Sequence, residues 1–140
     1  MVALFRFEVH TLYRLFFSGN IESVTLALTD GEIGVCASHS FFTAPVLSCI
    51  MRLKDDKGVL RIAFVTDGIL EVKEHKTVLM VDAAEWLEEI DADRAIAAKE
   101  KAEADLLNVQ SHFEAESART RLRRAEYRLK AYALKAQAKA

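Results

Sequence analysis

The chain has 140 residues, 51% of them hydrophobic and 29% charged, with a formal net charge of −2; these values predict one or two small soluble domains and argue against a chain that coats nucleic acid. The uncharged stretch Phe41–Met51 is far shorter than the ~18 apolar residues of a spanning helix, and no basic segment leads into an apolar run at the start. Two cysteines, Cys36 and Cys49, exclude a disulfide framework or a cysteine-rich zinc site and suit a reducing cytoplasm.

The first half alternates apolar and polar residues with a period of two, as half-buried strands require. Phe5, Phe7 and Val9 open the series, followed by Ile21–Leu28, Ile33–Val35, Val46–Lys54, Leu60–Phe64, Ile69–Lys73 and Val78–Val81. The turns between them are predicted at Ser18-Gly19-Asn20, Asp30-Gly31, Asp55–Gly58, Asp67-Gly68 and Glu74-His75-Lys76. Short strands at close spacing, with no helical pattern between them, predict an antiparallel β-sandwich or barrel. Gly and Pro do not occur after Gly68. A half dense in breakers followed by one without them reads as β, then α. The expected division is residues 1–83 for the sandwich and 84–140 for an antiparallel two-helix hairpin.

Two helix starts are written in side chains. Asp82-Ala83-Ala84-Glu85 and Ser111-His112-Phe113-Glu114 each put a capping residue three before a Glu, with Asp91 as a rival start for the first helix. Asn108-Val109-Gln110 is the expected turn, Asn108 tolerating a left-handed backbone. The predicted inner faces are Ala95, Ala98, Ala102 and Leu106 against Ala118, Leu122, Ala125, Leu129 and Tyr132. An alanine seam buries little area, so the hairpin should be marginal. Glu85–Leu107 carries eight acidic and three basic residues, and 117–140 carries eight basic and one acidic. Exposed ion pairs are worth only ~0.2–1 kcal/mol each, enough to bias such a pairing without locking it.

Catalytic signals are weak. No phosphate loop, His-Glu-x-x-His or Gly-x-Ser-x-Gly segment is present, and His10, His39, His75 and His112 are scattered, so neither an active site nor a metal site is expected. Asp91 and Asp93 are more simply explained by the helix dipole than by a bound divalent cation. Arg119–Lys130 carries six cations in twelve residues, which suits either an acidic partner or a solvated face neutralised by the first helix.

Five segments in collinear order resemble the epsilon-subunit family of bacterial F-type ATP synthases, whose mitochondrial counterpart is the delta subunit. They are the Phe5–Val9 strand with Phe17-Ser18-Gly19; Asp30-Gly31-Glu32-Ile33-Gly34-Val35 with Ser38-His39; Asp67-Gly68-Ile69-Leu70-Glu71-Val72; Val78–Glu85; and Ile90-Asp91-Ala92-Asp93-Arg94-Ala95, which matches I-D-x-x-R-A throughout. Departures fall at turns. Ala37 stands where the family has Pro, Asp67 replaces the first Gly of a Gly pair, no Gly occurs near Ser48 and Cys49, and Leu12-Tyr13-Arg14 replaces T-P-E.

The resemblance implies a non-catalytic rotor subunit in the central stalk, coupling proton or sodium translocation to ATP synthesis. Its sandwich would pack on the gamma subunit and touch the c-subunit ring, with Glu32 and His39 at that contact. The hairpin would fold down, or extend toward the alpha/beta catalytic head and restrain hydrolysis, with Arg119, Arg121, Arg123, Arg124 and Arg128 meeting the beta subunits. The implied location is peripheral, on the cytoplasmic face of the bacterial cell membrane. No cofactor is required, but some family members bind ATP on the folded hairpin; the matching positions are Glu85, Ile90, Asp91, Arg94, Ala95, Lys101, Arg124 and Arg128. Without the resemblance, the residues leave open a stand-alone sandwich adaptor dimerising through its helices, and a nucleic-acid module using the basic helix.

Overall fold

The computed structural model describes residues 2–38 and 40–138, with side chains as far as 135. The chain forms two compact units, Met1–Glu85 and Trp86–Ala140.

The described strands of the first unit are β1 (Phe5–His10), β2 (Leu15–Leu28), β3 (Gly31–Cys36), β4 (Phe42–Val46), β5 (Cys49–Asp55), β6 (Leu60–Val65), β7 (Gly68–Val72), β8 (Thr77–Val81) and β9 (Ala84–Trp86). Their order is β1-β8-β7-β4-β2-β5-β6-β9, with β3 on β2 and β1 also paired to β2. The 14-residue β2 therefore belongs to both layers, its first half pairing β1 and its second half β3 and β5. The β1–β8 ladder is parallel, an exception to the expected antiparallel pairing. Alternation does what the sequence predicted: Phe7, Val9, Ile21, Val24, Leu26, Leu53, Leu70 and Leu79 are sealed in the core, each large side chain contributing roughly 1.5–3 kcal/mol.

Three local expectations are corrected. Ser18-Gly19-Asn20 is not a turn but the middle of a ladder, with Glu8 opposite Ser18 and Phe7 opposite Gly19. The reversal lies earlier, where the Thr11 hydroxyl accepts from the N–H groups of Tyr13 and Arg14 and the Thr11 N–H donates to the Arg14 carbonyl. The single strand expected over Val46–Lys54 is broken at Leu47–Ser48, where the chain leaves the β4–β7 ladder for the β5–β6 ladder. Asp67 fixes that corner, its Oδ1 accepting from the Ser48 N–H at 3.1 Å and from the Ser48 hydroxyl. Two positions that depart from the family pattern, Ser48 and Asp67, thus satisfy each other. Finally, the helix start at Asp82 does not form. Thr66 and Ala83 exchange backbone and hydroxyl hydrogen bonds, extending the chain into β9, and a 3-10 turn follows at Leu87–Glu89.

The Asp55–Gly58 turn forms as predicted. Asp55 Oδ1 accepts from the N–H groups of Lys57 and Val59, each at 2.9 Å, and Gly58 takes a φ of 78°. The N–H of Val59 is the main cause of an Asp55 carboxyl held below its ordinary value, opposed by desolvation and helped by the N–H of Lys57 and the charges of Arg61 and Lys57. A carboxyl depressed on folding stabilises above its unfolded pKa and loses that contribution as pH falls through the folded value. Asp55→Asn should therefore lower stability at neutral pH and flatten the acid limb below about pH 4, read from denaturant midpoints across pH.

In the second unit α1 spans Ala92–Leu107 and α2 spans His112–Ala138. The rival start is the real one: Asp91 Oδ1 accepts from the Arg94 N–H at 3.1 Å. Ser111 caps α2 through the Glu114 N–H, and Glu114 reaches back to the Gln110 N–H. Asn108 does not turn left-handed. Its φ is −120°, and it caps α1 by donating its amide to the Ala104 carbonyl.

Candidate functional site

The hairpin seam is alanine. Ala95 and Ala102 of α1 and Ala115, Ala118 and Ala125 of α2 are buried, while Leu106, Leu122 and Leu129 flank them half-buried. Ala98 and Tyr132, expected inside, are exposed. Ala95 and Ala102 are seven residues apart and stack along one line, which turns Ala98 to the flank. On α2 the buried position is its neighbour Ala131, which is fully enclosed. Arg121 Nη1 donates to Asp105 Oδ2 across the seam at 2.8 Å.

That contact fixes which stripes lie side by side. Residues three, four and seven apart share a helix face. Arg94, Ala98, Lys101 and Asp105 therefore form one flank of α1, next to Arg121, Arg124 and Arg128 on α2. Four nucleotide-binding candidates, Arg94, Lys101, Arg124 and Arg128, thus project on the same side of the hairpin. Asp91 is spent on the cap, Ala95 and Ile90 are buried, and Glu85 belongs to the other unit. Asp93 sits in the first turn of α1, as the dipole reading has it.

The basic run does not present one face. Arg121, Arg124 and Arg128 share the flank just described, whereas Arg119 lies toward the other side and pairs with Glu116 of its own helix. The Arg123 guanidinium stacks 4.8 Å from the Tyr127 ring centre, and the Lys130 ammonium lies 4.6 Å from the same ring. Sequence reading missed this ladder; its signal was a Tyr with cations four before and three after. The predicted neutralisation between helices is seen in Arg121–Asp105, while these other cations find partners within α2.

On the sandwich, Glu32 is exposed on β3, opposite Ala27 of β2. His39 lies outside the described residues. Glu8 gathers three nitrogen partners: His10 Nε2 at 3.0 Å, with Arg6 Nε and Lys76 Nζ each at 3.7 Å. The hydrogen bond from His10 is the main cause of a carboxyl held below its ordinary value, opposed by desolvation and helped by the charges of Lys76, His10 and Arg6. Among the described residues, no group of three or more His, Cys, Asp or Glu side chains could hold a metal.

Comparison with known proteins covers both units. Residues 4–87 match the family described as the beta-sandwich domain of the ATP synthase delta/epsilon chain, and residues 88–133 match its long alpha-helix domain. The ATP synthase epsilon chain of Caldicellulosiruptor bescii is 43% identical over 129 residues, covering 92% of this chain and 93% of the relative. That of Caldanaerobacter subterraneus subsp. tengcongensis is 39% identical over 127 residues, covering 90% and 91%. Among solved structures, a chain of the Euglena gracilis mitochondrial ATP synthase OSCP/F1/c-ring assembly superposes with a TM-score of 0.76 at 19% identity, covering 90% of this chain and 79% of that one. A chain of the Tetrahymena thermophila central stalk and c-ring superposes at 0.69 with 13% identity, covering 94% and 98%. At these identities the superpositions establish the fold.

Proposed function

This chain belongs to the ATP synthase delta/epsilon family, and from that premise we infer that it is a non-catalytic central-stalk subunit that couples ion translocation to ATP synthesis and restrains ATP hydrolysis through its hairpin. The sandwich packs on gamma and the c-ring at the cytoplasmic face of the membrane, and the hairpin reaches toward the alpha/beta head when it opens. The observation that carries this reading is the match of both units, in order, to the two domains of one family. Co-purification with gamma and the c-ring tests it directly; a chain that stays apart from both refutes it.

A hairpin that acts as a switch must have two states within a few kcal/mol. The seam supports that. Its buried members are alanines, which permit close helix approach with little apolar area, while Ile96, Leu107 and Phe113 remain exposed. Charge across the helices adds a contact of the exposed kind, as Arg121–Asp105 illustrates.

ATP is the proposed regulatory ligand. Arg94 and Lys101 from one helix, with Arg124 and Arg128 from the other, project on one flank, so a polyphosphate held there would bridge the pair and stabilise the closed hairpin alone. Ligand at ten times its dissociation constant should raise hairpin stability by about 1.4 kcal/mol. Arg94→Ala or Arg128→Ala should weaken binding about tenfold. Calorimetry at millimolar ATP checks this, and absence of heat would remove the sensor from the reading.

For the ring contact, Glu32→Lys should lower ion pumping per ATP hydrolysed while leaving the sandwich melting curve unchanged, because the side chain is exposed. An unfolded variant, or unaltered coupling, would place the contact elsewhere.

A further inference from the structure

The turn of the hairpin differs in charge from the helix that follows it. Residues 102–118 contain four acidic residues, Glu103, Asp105, Glu114 and Glu116, and no Lys or Arg, whereas the rest of α2 is strongly basic. Between the two acidic pairs stand the most exposed large apolar side chains described in the second unit, Leu107 at 87% and Phe113 at 81%. A cleft of about 300 Å³ opens here between the end of α1 and the start of α2. Asp105, Asn108 and Val109 line it from one side, and Phe113, Glu114, Ser117 and Arg121 from the other. It lies at the opposite end of the flank from Arg94, beyond Lys101.

The cleft is rich in acceptors and short of cations. Two carboxylates line it against the single guanidinium of Arg121, which Asp105 Oδ2 already engages at 2.8 Å. That leaves Asp105 Oδ1, and it leaves the second oxygen of Glu114, whose Oε2 accepts from the Gln110 N–H. Asn108 commits its amide N–H to the Ala104 carbonyl and keeps its oxygen as an acceptor. The helix ends favour the same sign. The last turn of α1 holds no basic residue to answer its negative end, whereas the positive end of α2 is closed by Ser111 and Glu114.

Taking the subunit reading above for its setting, we propose that this cleft receives an arginine side chain from a basic segment of a partner protein, the guanidinium meeting Glu114, Asp105 and Asn108 while its stem and plane cover Val109 and Phe113. An open aromatic ring beside carboxylates suits a guanidinium, which stacks on rings and donates in its plane, better than an ammonium. A metal ion would use the carboxylates but leave Phe113 wet, and an acidic segment or an anionic lipid would meet like charge. Both helices supply the lining, so the occupant binds the closed hairpin alone and stabilises it. The start of α2 thus selects a partner of opposite charge to the one its basic run selects.

In the free full-length chain, the blocked tripeptide acetyl-Gly-Arg-Gly-amide should shift the backbone amide resonances of residues 108–117 in a saturable way. Its citrulline counterpart, alike in shape but uncharged, should bind about tenfold more weakly or worse, and its lysine counterpart about threefold more weakly. Glu114→Gln keeps an acceptor for the Gln110 N–H, so α2 stays capped, yet it should weaken the arginine peptide about tenfold. Phe113→Ala should weaken it about threefold, and Glu100→Gln, exposed elsewhere on α1, should leave it unchanged. Equal binding of the citrulline peptide, binding that Glu114→Gln leaves intact, or no saturable shift up to about 10 mM peptide overturns the site. In the assembled ATP synthase, p-benzoylphenylalanine in place of Gln110 should cross-link to a partner subunit within a segment that carries Arg beside apolar residues. Cross-links to an acidic segment, to lipid or to a second copy of this chain, or none at all, overturn the docking. A chain that never enters the complex refutes the subunit reading instead, and the peptide titration then decides the cleft.

Discussion

Removing the chain from Ile90 onward is expected to leave an ATP synthase that assembles and makes ATP but hydrolyses it on the order of tenfold faster at low salt. The sandwich, Met1–Glu85, is one compact unit with its own sealed core, so it should fold without the helices. The hairpin is a second unit closed over alanines, and opening it costs little apolar area. On the reading proposed above, the open α2 would offer Arg119, Arg121, Arg123, Arg124 and Arg128 to an acidic surface on the catalytic head. At roughly 0.2–1 kcal/mol per exposed pair, those contacts favour the restrained state by one to a few kcal/mol, which sets the expected acceleration. Because Arg119 and Arg123 lie off the flank shared by the other three, a single acidic strip can engage only part of the set. Replacing all five with Ala should therefore give a smaller rise than truncation, and one that also loses the Arg121–Asp105 contact of the closed hairpin. Salt should narrow the gap between wild type and truncated enzyme. Hydrolysis and synthesis rates of reconstituted enzyme, with and without residues 90–140, decide the matter; an assembled truncated enzyme with unaltered hydrolysis reduces the helices to a structural appendage.

What could be read from the sequence followed from local rules. Period-two alternation located the strands because each buries one face, and capping chemistry located α2 through Ser111 and Glu114. Where the reading slipped, a long-range contact decided. Asp82 has the same spacing to Glu85 as Ser111 has to Glu114, yet Thr66, distant in sequence, binds Ala83 and draws the chain into β9 instead. Ser18-Gly19-Asn20 looks like a turn by composition, but the ladder with β1 runs straight through it while Thr11 makes the reversal. The flank gathering Arg94, Lys101, Arg124 and Arg128 could be guessed helix by helix. Which flanks adjoin depends on the Arg121–Asp105 contact and was not readable.

Gly68→Ala should be the most damaging single substitution in the sandwich among its glycines. A methyl built at this position would lie 1.9 Å from the Met80 carbonyl oxygen and 2.7 Å from Val81 Cγ1, at the point where Gly68 pairs with Val81 in the β7–β8 ladder. The obstacle is backbone, which cannot step aside as a flexible side chain can, so the cost belongs at the upper end of overpacking, about 3 kcal/mol or more. For a domain of this size that is a fall in melting temperature of roughly 12 °C or more. Gly34→Ala is the matched control, since a methyl there meets nothing within 4 Å, and it should melt nearly as wild type. The neighbouring position answers to a different constraint. Asp67 occupies a place where the family pattern has glycine, and its carboxylate serves the wholly buried Ser48. Asp67→Gly would restore the pattern yet strand that hydroxyl, costing roughly 1–3 kcal/mol; adding Ser48→Gly, which removes the stranded group, should recover part of the loss. Calorimetric melting of these variants separates close approach at 68 from polar satisfaction at 67. A Gly68→Ala protein that melts with wild type would mean that β7 and β8 sit further apart than their ladder requires.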